Sequence, residues 1–304
     1  ILRGLFKPSE YGRVILPFVV MRRLDCVLES KKDEVINLYN KYKKDLEDVD
    51  PVILNEIGLP FFNASAFDLS RLKGDPTNVL INLQNYIQGY SLNVQDIINN
   101  FNIFPLIEKL NKHNRLYKLI DKFTEFDLHP SKIDNHEMGT AYEELLRRFS
   151  EMSNEESGDH FTPRDIVQLL VSFVFGNDAE DLKGENKIRS IYDPCCGTGG
   201  MLTIGKDWVQ KNINPKLKIN LYGQELNDVT YAICKSDLLM LDENPENIYG
   251  PFSSISQDKL QGKKFDYMIT NPPFGVSWKS EKSFIEDESQ RGGRFNVGTP
   301  RVSD

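Results

Sequence analysis

Asp193-Pro194-Cys195-Cys196-Gly197-Thr198-Gly199-Gly200-Met201 is the stretch on which the fold reading turns. It follows an apolar run, Ile188–Asp193, and opens a segment, 199–212, whose apolar residues recur at helical spacing. A second apolar run, Ile219–Gly223, a helical segment over 228–241 and a third run, Phe265–Thr270, follow in order. Strand, glycine turn, helix, strand, helix, strand is the grammar of a doubly wound parallel sheet, so the fold class is α/β. The turn sits at the carboxyl end of its strand, where open α/β sheets bind ligands, and its glycines let a ligand approach the backbone. No Gly-Lys-Ser/Thr follows, which excludes the Walker phosphate loop, and the spacing is not G-x-G-x-x-G. Asp193 at the strand end suits a ligand carrying positive charge. A tight connection with no ligand is the competing reading of the turn alone. Cys195 and Cys196 read as small packing residues.

Two further strand ends narrow the chemistry. The second run ends in Gly223-Gln224-Glu225. An acid there is placed to reach ribose hydroxyls; by itself it would read as a helix cap, and its pairing with the glycine turn indicates a nucleoside-containing cofactor. The third run ends in Asn271-Pro272-Pro273-Phe274-Gly275. The prolines stop the strand and stiffen the turn, so that the Asn271 side chain and the Pro272 carbonyl converge as two hydrogen-bond acceptors. Two acceptors suit an exocyclic or amide NH2 group, and Phe274 offers a face on which a flat base can stack, worth roughly 1–3 kcal/mol. A base amine is a poor nucleophile because its lone pair is delocalised. Gripping its protons drives the nitrogen towards a tetrahedral form aimed at a sulfonium methyl. The leaving thioether is neutral and needs no acid, so orientation and preorganised electrostatics carry the reaction, which requires no catalytic His, Cys or carboxylate pair.

Upstream, the first 152 residues read as a helical domain. Pro8-Ser9-Glu10 opens a stripe through Val14, Ile15, Phe18, Val19 and Leu24 with a kink expected at Pro17. Asp75-Pro76 and Asn93 mark further helix starts, and 137–152 carries Met138, Tyr142, Leu145, Leu146 and Phe149 on one face. These stripes read as helix-packing core. A polar stretch, Ser153–Gly158, marks the change of character, so 153–304 reads as the second domain. Thr162-Pro163-Arg164-Asp165 then starts a helix, with Thr162 as N-cap and Pro163 at its first position.

Bulk composition bounds the rest. The chain has 304 residues, 39% hydrophobic and 27% charged, as in ordinary globular proteins. No apolar run approaches the roughly 18 residues needed to span a bilayer, so no membrane role is expected and the cytoplasm is the default compartment. Four cysteines and four scattered histidines show no zinc spacing, and no metal is expected. The chain opens on Ile1, as part of a longer chain would. A net charge of −8 works against unaided binding of nucleic acid, so local basic patches or a partner must supply affinity.

Taken together, the chain resembles the modification (HsdM) subunits of type I restriction-modification systems, gamma-ordered DNA methyltransferases that modify adenine N6. Leu2-Arg3-Gly4, Pro8-Ser9-Glu10-Tyr11 and Arg22-Arg23-Leu24 are similar to the family's N-terminal helical domain, and Gly139–Leu146 with Phe149 to its linker helix. Gly158-Asp159-His160-Phe161-Thr162-Pro163 resembles the segment bordering S-adenosylmethionine (SAM). Asp193, Pro194, Cys195, Gly197, Thr198, Gly199 and Gly200 resemble the methionine-binding loop, Glu225 the ribose acid, and Asn271, Pro272, Pro273 and Phe274 the target-amine motif. The resemblance implies SAM as cofactor, double-stranded DNA as substrate, a DNA-specificity subunit and a restriction subunit as partners, and a Rossmann-like catalytic domain that is C-terminally incomplete at residue 304.

One departure concerns Gly250-Pro251-Phe252-Ser253, where the family often has a polar second residue near the cofactor adenine; Ser256 or Asp258 is the expected stand-in for Pro251. Arg291-Gly292-Gly293-Arg294 reads either as a basic loop that closes over a flipped base or touches phosphate, or as a loop with no role. Three other functions compete: transfer to a glutamine amide of protein, transfer to cytosine N4, for which Ser-Pro-Pro is commoner, and a non-catalytic SAM-binding assembly module.

Overall fold

The structure is a computed structural model that describes residues 1–153, 162–273 and 277–299. The chain divides into two compact units, residues 1–155 with 232–246, and residues 156–231 with 247–304.

The first unit is helical. A short 3-10 turn, Pro8–Glu10, leads into α1 (Tyr11–Leu28), followed by α2 (Lys32–Tyr42), α3 (Asp50–Ile57), α4 (Leu69–Leu72), α5 (Val79–Gln88), α6 (Leu92–Asn100), α7 (Ile103–Lys112), α8 (Leu116–Thr124) and α9 (Asn135–Ser153). Helix α1 continues through Pro17 and buries residues around its whole circumference, from Val14 to Leu28, which marks it as the central helix of this core. Phe18 stacks on Phe123 at 5.4 Å, and Leu24, Leu69, Leu83 and Ile120 are buried with them. Arg23 is buried on the same helix. Its guanidinium donates to the carbonyls of Leu128 and Ile133 and to Asn135 Oδ1, tying α1 to the start of α9. Asp75 caps its 3-10 turn as expected, whereas α6 starts at Leu92, just ahead of Asn93.

The second unit is the expected α/β layer. Helices α10 (Arg164–Asn177) and α11 (Ala179–Leu182) precede β1 (Ile188–Asp193), α12 (Gly200–Asn212) and β2 (Lys218–Gln224). Helix α13 (Asp228–Met240), β3 (Ile248–Tyr249), β4 (Tyr267–Met268) and α14 (Lys282–Gln290) complete the chain order, α13 being divided between the units at Tyr231/Ala232. All strand pairs are parallel, in the order β3-β2-β1-β4, so β1 lies at the centre. Val167, Val171 and Phe175 of α10 are buried, as are Leu202 and Val209 of α12, together with Ile191 and Leu221 of the sheet.

Two strands depart from expectation. The third run forms a ladder over Tyr267–Met268 only, extended by the Ile269 amide donating to Tyr192 O. Its N-terminal end is replaced by side chains: Asp266 Oδ2 accepts from the Ser190 amide and hydroxyl, and the Asp266 amide donates to Ser190 Oγ. Phe265 instead stacks on Tyr192 at 4.5 Å. Strand β3 is new, and its two residues are too few for an alternating pattern to register.

Candidate functional site

The carboxyl ends of β1, β2 and β4 meet at one edge of the sheet. Parallel register sets Asp193 opposite Gly223, and Tyr192 opposite Met268, so the glycine turn, Glu225 and Asn271 emerge side by side.

The glycine turn is stitched to the end of β2. The Cys195 amide donates to Asp193 Oδ1 at 3.0 Å, the Cys196 amide to Gln224 O at 3.0 Å, and the Gly197 amide to Glu225 Oε2 at 2.9 Å. Gly199, at φ +90°, is the N-cap of α12; this left-handed conformation costs an L-residue roughly 1–2 kcal/mol, which is why glycine stands there. Gly223 leaves room for Cys196: a Cβ on it would lie 2.9 Å from the Cys196 Sγ and 3.0 Å from Ile248 Cδ1. Both cysteines are free thiols, so the packing reading holds.

Asp193 is buried at 1% exposure, and loss of water pushes its carboxyl up to about 7, with the negative charge of Glu225 adding to the rise and the Cys195 amide opposing it. Burial likewise raises the Cys195 thiol. A carboxyl in this state is a receptor for a cationic group, whose charge would restore ionisation. Glu225 uses each oxygen once, on the Gly197 and Asn227 amides, which leaves lone pairs for hydroxyl donors. A buried carboxyl for an ammonium, a turn of backbone amides and an acid for vicinal hydroxyls together fit an amino-acid-bearing nucleoside such as SAM.

At the end of β4, the Asn271 Nδ2 donates to Thr162 Oγ1 at 3.0 Å, across 109 positions of sequence. This corrects the expected helix start. Pro163 is the N-cap of α10 with no side-chain cap bond, because the Thr162 hydroxyl faces Asn271 instead of the helix amides. The contact holds the Asn271 amide by its nitrogen, and among the described residues no donor reaches its Oδ1. The adjacent Thr270 Oγ1 is buried beside the Asp193 carboxyl, whose rise it opposes. Asn271 itself is half-buried, and Pro272 and Pro273, which follow it, are exposed. Gly158, Asp159, His160, Phe161 and Phe274 lie outside the described residues, as does most of the polar stretch Ser153–Gly158.

Sequence reasoning missed the loop that closes the β2 side of the site. Gln224, fully buried, donates to Phe252 O and Gln257 O and accepts from the Lys259 amide. The Phe252 amide donates to Glu225 O, and the Glu225 amide to Tyr249 O. Gly250 packs so closely that a Cβ would meet the Tyr231 ring at 2.5 Å and Glu225 O at 2.8 Å. A fully buried amide at the last position of a strand was the available signal, since such a group needs partners. Of the expected stand-ins for Pro251, Ser256 Oγ bonds Glu281, and Asp258 accepts from the Leu260 amide and from Arg294.

Two family models match the chain, one at each end. Residues 1–123 match the family model of the HsdM N-terminal domain, and residues 133–301 match that of N-6 DNA Methylase. The type I restriction enzyme MjaIX methylase subunit of Methanocaldococcus jannaschii is 25% identical over 98% of this chain and 54% of its own length. The EcoEI methylase subunit of Escherichia coli is 30% identical over 58% of this chain and 35% of its own. The crystal structure of a type I restriction-modification system methyltransferase subunit from Streptococcus thermophilus shares the fold, with a TM-score of 0.66 and 19% identity over all of this chain and 66% of that one. The chain thus spans about half the length of the first of these relatives. With more than half of its residues inside the catalytic model, the chain belongs to the N-6 DNA methylase family.

Proposed function

We propose that this chain is the catalytic portion of a modification subunit that methylates adenine N6 in double-stranded DNA. The observation that carries the reading is the Asn271–Thr162 contact, which fixes the Asn271 amide by its nitrogen and leaves its oxygen as an acceptor at the strand ends that also carry Asp193 and Glu225. SAM supplies, when bound, a methyl group on a sulfonium sulfur. Asp193, Pro194, Cys195, Gly197, Thr198, Gly199 and Gly200 would hold its amino-acid end and Glu225 its ribose, with Gly158–Pro163 bordering it. Asn271 Oδ1 and the Pro272 carbonyl would accept hydrogen bonds from the two amine N–H groups, one of which loses its proton to solvent once the nitrogen is methylated, and Phe274 would stack on the base. A duplex target has to leave the stack to reach them, at a cost of a few kcal/mol.

In this reading 1–152 is the helical assembly domain and 153–304 the catalytic domain. A DNA-specificity subunit reads sequence, a restriction subunit completes the system, and the complex works in the cytoplasm. Support comes from family membership, from the methylase-subunit relatives and from the acidic net charge of −8, which leaves DNA affinity to a partner.

The test is transfer of labelled methyl from SAM to an adenine-containing duplex, by the full-length protein with and without its specificity subunit. Asn271→Ala should lower kcat by about 100-fold or more, the scale of losing a preorganised donor or acceptor, while leaving SAM affinity nearly unchanged. Full activity in that variant, or transfer to protein and not to DNA, would overturn the proposal.

A further inference from the structure

We infer that Arg294 is a positioning residue for the cofactor end of the site, acting through the 252–258 loop, and not a DNA-phosphate contact. The inference rests on the proposed SAM reading. Its basis is the saturation of the guanidinium. Nε donates to Glu288 Oε1 at 2.8 Å and Nη2 to Glu288 Oε2 at 2.8 Å, a side-on pair. Nη2 also donates to Ile255 O at 2.6 Å, and Nη1 to Ser254 O at 3.0 Å and Asp258 Oδ2 at 3.2 Å. Five N–H groups meet five acceptors, so none remains for a phosphate unless a bond within the protein is broken. Gly293 makes the approach possible, since a Cβ there would lie 2.5 Å from Glu288 Cγ. The Arg294 amide donates to Glu288 Oε1 as well, and the guanidinium holds the Glu288 carboxyl down at about 2.

What Arg294 grips is the loop beside Glu225. The loop it holds at Ser254, Ile255 and Asp258 is the one that Gln224 holds at Phe252, Gln257 and Lys259, and whose Phe252 amide bonds Glu225 O. A second latch, Ser256 Oγ to Glu281, ties the same loop to the residue before α14. Helix α14 begins nine residues after Pro273, and residues 281–294, which contain it, are fastened at both ends to the loop that backs Glu225. An aliphatic or single-point side chain at 294 cannot bridge two carbonyls and two carboxylates, and loop and carboxylate would then drift independently.

The experiment compares wild type, Arg294→Ala, Arg294→Lys and Glu288→Gln in the full-length protein with its specificity subunit. SAM affinity is read by titration calorimetry, duplex affinity by anisotropy at several salt concentrations, and folding by circular dichroism. Arg294→Ala is expected to weaken SAM about 10- to 100-fold, the loss that accompanies removal of charge-assisted bonds. Arg294→Lys should fail to restore it, Glu288→Gln should weaken SAM in the same direction, and duplex affinity and its salt slope should stay at the wild-type value. A phosphate contact would give the opposite split, with SAM affinity unchanged and the salt slope reduced by about one. That result, or full rescue by lysine, overturns the inference. Wild type that binds no SAM would instead overturn the functional reading on which it rests.

Discussion

At the residue scale, two side chains carry more than their motifs disclose. Thr162 has the composition of a helix cap, but its hydroxyl accepts from Asn271, so the Thr-Pro segment orients the Asn271 side chain as well as opening α10. Asp193 is the other. Its buried carboxyl, raised to about 7, is half-protonated near neutrality in the absence of a cation. An ammonium group pairs only with the carboxylate, so the affinity for SAM is expected to rise as pH increases from 6 to 8 and level off above the carboxyl's own range. Asp193→Asn should bind weakly at every pH and show no such slope. Titrations at fixed ionic strength decide the matter: a wild-type affinity flat across that range would exclude Asp193 as the cation's partner.

At the element scale, helices α9 and α13 bury a polar pair within the first unit. Tyr142 OH on α9 and Asp237 Oδ1 on α13 are both buried, and Ser236 neighbours the phenol. Burial, with the Glu143 charge nearby, pushes the Asp237 carboxyl up to about 8. An unfolded Asp ionises near pH 4, so between about 4 and 8 the folded chain keeps a proton that the unfolded chain has lost. Stability from this group is therefore fully present below about pH 4 and declines as pH rises to about 8. Asp237→Asn should flatten the decline, raising Tm relative to wild type more at pH 8 than at pH 5. Parallel Tm profiles for the two proteins would refute this. Elements of this kind were legible in unequal measure. Helices α12 and α13 follow from apolar spacing and glycine or Asp starts, within about a residue of where they stand. Strand β4 is shorter than its apolar run because Asp266 takes the Ser190 amide, and no local pattern announces a side chain that replaces a ladder bond. The placement of Asp193, Glu225 and Asn271 at adjacent strand ends follows from the parallel order of the sheet. The bonds from Thr162, Gln224 and Arg294 do not, since their partners are up to 109 positions away in sequence or are backbone carbonyls of an irregular loop.

At the scale of the whole molecule, charge opposes the proposed substrate. Asp and Glu outnumber Lys and Arg by 45 to 37, and Arg294, the last cation of the basic stretch, has all its donors engaged within the protein. Binding of duplex by neutralised phosphates needs several free cations, each releasing counterions; an acidic surface must first overcome long-range repulsion. The protein without its specificity partner is accordingly expected to bind a labelled duplex no better than the non-specific range, about 10⁻⁴–10⁻⁶ M at physiological salt. Adding the partner should lower Kd by several orders of magnitude, and the steep salt dependence of the complex should track cations of the partner, diminishing when those are neutralised and not when Arg294 is. SAM binding, confined to the edge of the sheet, should persist in the isolated protein, so cofactor and DNA affinities separate in one set of titrations. Tight, sequence-selective binding of duplex by the isolated protein would show that its own surface carries the DNA contacts, and that the division of labour argued from its charge is wrong.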